Sequence, residues 1–151
     1  MAVAYGGYAA PTAVALEPSI YRCAVAVAGI SDLGEFFADK LHGLNSEESV
    51  YARYFSRFVG INNLKDPLLN AISPASHIDA ITAPVLLIHG RDDTVVPFKQ
   101  SLLMANGMKK AGKQVELVEL KNEDHWMSRS ETRLQMLEAT VTFLKKNNPV
   151  D

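Results

Sequence analysis

Pro84-Val85-Leu86-Leu87-Ile88-His89-Gly90-Arg91-Asp92-Asp93 is the stretch from which the fold is read. A β-branched and leucine run of this length, with no polar residue alternating through it and a glycine closing it, predicts a strand buried on both faces of a parallel sheet. Upstream, Tyr21 to Ile30 is a second apolar run, rich in valine and closed by Gly29. Downstream, Gln114 to Leu120 alternates valine and leucine with polar residues, which predicts a third and more exposed strand.

Helical patterns lie between and after these strands. Pro97 to Lys110 begins with proline at a first-turn position, turns Leu102, Leu103 and Met104 inward and ends near Gly112 as a C-cap. Ser128-Arg129-Ser130-Glu131 reads as a capping box. It opens a last helix in which Leu134, Leu137, Val141 and Leu144 recur at helical spacing until Asn147-Asn148-Pro149 stop it. A further helix is expected from about Ser46 to Phe58, with Tyr51, Tyr54, Phe55 and Phe58 on one face. The segment 62–80 reads as looser. Strands alternating with helices predict an α/β fold with a short, mostly parallel sheet flanked by helices. The 151 residues suit a single domain, 1–151.

Composition removes several function classes. With 48% hydrophobic and 21% charged residues the chain is that of a globular protein rather than a disordered one. A net charge of −2 without a Lys/Arg run argues against a nucleic-acid partner. The single cysteine, Cys23, allows no internal disulfide and reads as a small core residue. The histidines lack ligand-like spacing and no glycine-rich phosphate loop follows a strand, so neither a metal nor an organic cofactor is expected. No apolar stretch approaches the roughly 20 residues that span a bilayer, and no basic region precedes an apolar one at the start. The expectation is a cytoplasmic protein with no membrane partner.

In a parallel sheet, reactive groups belong on the loops at the carboxyl ends of the strands. Gly90-Arg91-Asp92-Asp93 follows the second strand and Glu123-Asp124-His125 the third. Near the start, Ala2-Val3-Ala4-Tyr5-Gly6-Gly7 has the frame of the G-x-S-x-G turn that lifts a nucleophilic serine above a sheet, with Ala4 at the serine position. Elbow, acid, histidine is the chain order of α/β-hydrolases. Asp93 would accept a hydrogen bond from His125 and fix its tautomer. Each residue also has a plainer reading: Asp93 as a helix cap or turn carboxylate ahead of Pro97, and His125 as a loop side chain beside Trp126. Asp92 and Asp124 are competing acids with turn roles. His89, at a strand end, reads as structural, and His42 and His77 have no evident partners. Ser31 and Ser128 are alternative nucleophiles, each with a competing capping role.

Taken together, Ser73-Pro74, Ala83 to Gly90, Asp93-Thr94-Val95-Val96-Pro97-Phe98-Lys99-Gln100-Ser101 and Glu123-Asp124-His125-Trp126 resemble the prolyl oligopeptidase family of serine peptidases. The likeness is narrower to its dipeptidyl- and acylaminoacyl-peptidase members and runs from Ala2 through the last helix. It implies a partial α/β-hydrolase domain with Asp93 as acid, His125 as base and the backbone N–H of Tyr5 as one oxyanion donor. It also implies a small acyl ester or peptide as substrate. Two departures stand out: Ala4 at the serine position and Ala2 at the preceding glycine. Pro11 falls inside the helix after the elbow, where it is expected to kink or shorten it.

The resemblance further implies a truncated domain, with the family's propeller, the early strands of its sheet and the second oxyanion donor ahead of Met1. An exposed edge beside the strand at Tyr21–Ile30 would then favour a homodimer or higher oligomer that completes the sheet. Two functions follow as expectations. One is a hydrolase with weak or no activity on acyl esters or peptides; the other is a non-catalytic pseudo-hydrolase acting as a dimerising or binding module.

Overall fold

The computed structural model describes residues 2–3, 5–41, 50–61, 63 and 65–149. Four strands, β1 (Ala2–Val3), β2 (Ala24–Val27), β3 (Val85–Gly90) and β4 (Val115–Leu120), form one sheet in the order β1-β2-β3-β4. Every neighbouring pair is parallel, with Ala2 opposite Ala26, Val25 opposite Leu86, and Leu86 opposite Glu116. The helices are α1 (Tyr5–Leu16), α2 (Leu33–Leu41), α3 (Val50–Val59), α4 (Pro67–Ala71), α5 (Lys99–Lys110) and α6 (Ser130–Asn147). A 3₁₀ segment, Pro74–Ala80, leads into β3.

Burial follows the sequence pattern. Every residue of β2 and β3 is buried, whereas β4 is mostly half-exposed, as its alternation predicts. One face of the sheet, through Ala24, Ala26, Val85 and Leu87, packs on Val14 and Ala15 of α1 and Met104, Ala105 and Met108 of α5. The other face, through Val25, Val27, Leu86 and Ile88, packs on Met136 and Phe143 of α6. A third cluster, Leu33, Phe36, Phe37, Ile61, Leu69 and Val96, joins α2 and α4 to the loop after β3.

β2 is shorter than the apolar run that announces it. Tyr21 and Arg22 are exposed, and the strand ends where Ala28 takes a left-handed φ of 50°. Gly29 follows because a side chain there would strike the backbone of Gly7, and a side chain on Gly7 would strike Val27 and Gly29. This glycine pair lets α1 lie directly on the end of β2. Pro11 sits within α1, which nonetheless runs unbroken from Tyr5 to Leu16, 12 residues in all. The lost N–H would have served Gly7, whose carbonyl faces Gly29.

Two helix readings are corrected. α5 starts at Lys99 rather than Pro97, and Met104 is buried while Leu102 and Leu103 are half-buried; Gly112, at φ 69°, does follow its end. α6 starts at Ser130 with Arg129 as N-cap, and no side chain of the expected capping box caps it. Its Leu134, Leu137 and Val141 face outward at 57%, 49% and 48% exposure, while Thr132, Met136, Thr140 and Phe143 turn inward. In α3, Tyr54 and Phe58 stack at 6.2 Å and are exposed. The side chains of Tyr51 and Phe55 lie outside the described residues, as do His42 and the first four residues of that expected helix. The looser segment carries α4, capped by Asp66, and the 3₁₀ turns.

Candidate active site

Because all four strands are parallel, the segments following them emerge along one rim of the sheet. β3 delivers Asp93, three residues past Gly90, and β4 delivers His125. His125 Nδ1 lies 2.7 Å from Asp93 Oδ2, with both side chains almost entirely buried. The expected pair is therefore formed, and the competing acids are not part of it. Asp92 is exposed, and Asp124 instead accepts from the Ser128 hydroxyl at 2.8 Å and from the N–H of Trp126 at 2.9 Å. Those bonds hold the Asp124 carboxyl below the usual carboxylate range. At the same rim Val3 ends β1 and Tyr5 begins α1. Ala4, the expected nucleophile position, lies outside the described residues.

Asp93 does two things at once, and its plainer reading is also true. Its Oδ1 accepts the N–H groups of Val95 and Val96, each at 2.8 Å, which folds the loop after β3 into a tight turn. Burial would by itself push this carboxyl up. Hydrogen bonds from His89, His125 and the Val96 N–H, with the charge His125 can carry, outweigh it and hold Asp93 below the ordinary aspartate range. An ionised, immobile acceptor at Oδ2 obliges His125 to carry a proton on Nδ1. That leaves Nε2 as the nitrogen able to take a proton from a reacting group.

The third member of this cluster went unrecognised in the sequence. His89, completely buried at the end of β3, places Nε2 2.9 Å from the Val96 carbonyl and 3.3 Å from Asp93 Oδ2. Its Nδ1 is 2.7 Å from the Ser101 hydroxyl on α5, and its ring packs edge-on against Phe98. Only its position at the end of an apolar strand pointed to it, and that signal reads equally as structure.

The loop carrying His125 is organised by Glu123, a fully buried carboxylate. Glu123 accepts the N–H groups of Asp124 and Ser128 at 2.9 Å and of Arg129 at 3.3 Å, and the hydroxyl of Thr132. It thereby ties down the loop that enters α6, up to the N–H of the N-cap residue Arg129, while the Ser128 hydroxyl bonds Asp124. Gly90 permits this approach, since a side chain on it would meet the backbone of Glu123 and Asp124. Trp126 is exposed and sits edge-on to His125, ring centres 5.3 Å apart.

Neighbouring loops are tied to the same centre. Gln100 Oε1, buried on α5, accepts the N–H groups of Ser31 and Asp32 at 2.9 and 2.8 Å. Ser31 is thus a buried link rather than a cap, and Asp32 caps α2 by accepting the Glu35 N–H. Ser73 Oγ accepts the Leu33 N–H at 2.9 Å and donates to the Leu69 carbonyl. His77 is remote from this cluster and bonds the Ala71 carbonyl. Among the described residues no cluster of His, Cys, Asp and Glu could hold a metal ion, and no helix is long and apolar enough to cross a membrane.

The model of the prolyl oligopeptidase family matches residues 3–149. YuxL, an uncharacterized peptidase of Bacillus subtilis, is 28% identical over 102 residues, which cover 68% of this chain and 13% of that protein. The fold superposes on an acylaminoacyl peptidase of Pyrococcus horikoshii with a TM-score of 0.79 at 26% identity, covering 96% of this chain and 23% of that one. A puromycin-hydrolyzing peptidase of Mycobacterium tuberculosis gives a TM-score of 0.84 at 23% identity, covering 99% and 22%. This chain therefore spans less than a quarter of each of these relatives. The short parallel sheet with flanking helices is an α/β-hydrolase portion.

Proposed function

The chain belongs to the prolyl oligopeptidase family, and on that premise we propose that Asp93 and His125 are the acid and base of a serine-hydrolase relay whose nucleophile position is Ala4. The observation that carries this reading is the 2.7 Å bond between His125 Nδ1 and Asp93 Oδ2, made on the rim where β1 passes into α1. In such a relay His125 Nε2 takes the proton from an attacking hydroxyl as that oxygen bonds to the acyl carbon, then returns it to the leaving group. The backbone N–H of Tyr5, first residue of α1, has no partner within the helix and is suited to receive the oxyanion. Alanine supplies no attacking oxygen. Loss of a triad nucleophile leaves roughly 10³ to 10⁴ over the uncatalysed rate in a complete site, so hydrolysis of small acyl esters or peptides by this chain is weak or absent.

The test is a matched pair: short-chain nitrophenyl ester hydrolysis by the parent and by Ala4→Ser. Gain of turnover together with labelling of residue 4 by a fluorophosphonate supports the reading. An Ala4→Ser protein that folds but neither turns over nor labels overturns it.

A further inference from the structure

We propose that His89 is a positioning residue for the relay: its Nε2–H bridges the Val96 carbonyl and Asp93 Oδ2, locking the acid in the orientation that His125 requires. The inference rests on the reading of Asp93 and His125 just given, but its evidence is separate.

The argument is one of proton placement. Both oxygens facing Nε2, the Val96 carbonyl at 2.9 Å and Asp93 Oδ2 at 3.3 Å, can only accept. Nδ1 faces the Ser101 hydroxyl, which can donate. The environment thus selects one tautomer, with the proton on Nε2 and Nδ1 accepting from Ser101. His89 has no exposed surface, so these neighbours set its ring bonds. Phe98 holds the ring edge-on, and the Arg91 guanidinium lies over that phenyl, 4.9 Å from its centre.

From this placement His89 acts on Asp93 by two routes. Through the Val96 carbonyl it pins the turn whose Val95 and Val96 N–H groups clasp Oδ1. Through Oδ2 it adds a donor beside the one from His125, so both carboxylate oxygens are held from two sides and the group cannot rotate without losing a bond. A single imidazole on β3, spliced to α5 by Ser101, thus sets the geometry of an acid whose base arrives from β4.

Nitrogen-detected NMR of the histidine rings tests this on the unmodified chain. A His89 protonated at Nε2 and bare at Nδ1 supports the proposal; the opposite tautomer cannot donate to Asp93 and overturns it. The second arm compares His89→Gln, whose amide can still donate at the Nε2 position, with His89→Phe, which cannot. Expected in His89→Phe are an upward move of the Asp93 carboxyl titration, followed by its ¹³C shift, and loss of the exchange-protected Nδ1 proton of His125; His89→Gln retains both. A folded His89→Phe with both signals unmoved overturns the proposal, and should that variant not fold, the tautomer of the parent still decides. In an Ala4→Ser background, His89→Phe lowers kcat by roughly 10²-fold with KM little changed. If Ala4→Ser is inactive, the proposed function fails while the tautomer and titration results still stand or fall by themselves.

Discussion

Asp93 and His125, 32 residues apart in sequence, meet at 2.7 Å because β3 and β4 are adjacent and parallel, which brings the loops at their carboxyl ends side by side. The pair is desolvated, and its acid is satisfied at both oxygens, so its geometry is set before any ligand arrives.

In the Ala4→Ser background, Asp93→Asn should leave the fold intact and still lower turnover by about 10⁴-fold, because an amide can stabilise the wrong tautomer of His125. His125→Ala should cost at least as much. Ester kinetics on variants with matched circular dichroism check both.

Asp93 also predicts how stability depends on pH. Its folded-state pKa is depressed, so its ionised form contributes stability above the unfolded-state value of about 3.9, and that contribution is lost as pH falls through the lower folded value. The stability difference between the parent and Asp93→Asn should be flat above about pH 5 and shrink below about pH 4. Urea titrations across that window measure it, and a difference that grows toward acid would contradict the assignment.

Glu123→Ala would remove the acceptor of the Asp124 and Arg129 N–H groups, leave the Ser128 N–H only its longer bond to Asp124, and leave the Thr132 hydroxyl only the Arg129 carbonyl. The expected loss is about 2–5 kcal/mol, with faster amide exchange across 124–132. Glu123→Gln keeps an acceptor oxygen and should lose markedly less.

The close approach of α1 to β2 makes Gly7 and Gly29 intolerant of any side chain, since a β-carbon at either meets backbone that cannot yield. Gly7→Ala should cost more than about 3 kcal/mol or prevent folding. At Gly112, where open space surrounds a φ of 69°, the same change should cost only about 1 kcal/mol. Thermal melts of the two variants provide the comparison.

The facing of α6 separates neighbouring residues. Leu137→Lys, on the exposed side, should change stability by less than about 0.5 kcal/mol, while Met136→Lys, one position earlier, places a charge against Val25 and Ile88 and should unfold the chain.

Apolar runs, alternation and local end signals located β3, β4, α5 and the existence of α6, because runs such as Val85 to Ile88 must be buried wherever they occur. Chain order left Asp92 and Asp124 beside Asp93 as candidate acids, and the resemblance to the prolyl oligopeptidase family singled out Asp93 and His125 as the expected acid and base ahead of any coordinates. Other features depend on distance in space between residues remote in sequence, and no local pattern encodes them. Which stripe of α6 turns inward is one, since Leu134 and Met136 are both apolar and only the sheet chooses between them. The stop of β2 at Val27 is another, set where Gly7 and Gly29 meet. Tertiary structure alone converted Glu123 from a loop acid into the buried acceptor that ties down the entry to α6, and His89 from a strand-end side chain into a neighbour of Asp93. A hydrogen bond is made by atoms, and its partners are known only when the fold has brought them within reach.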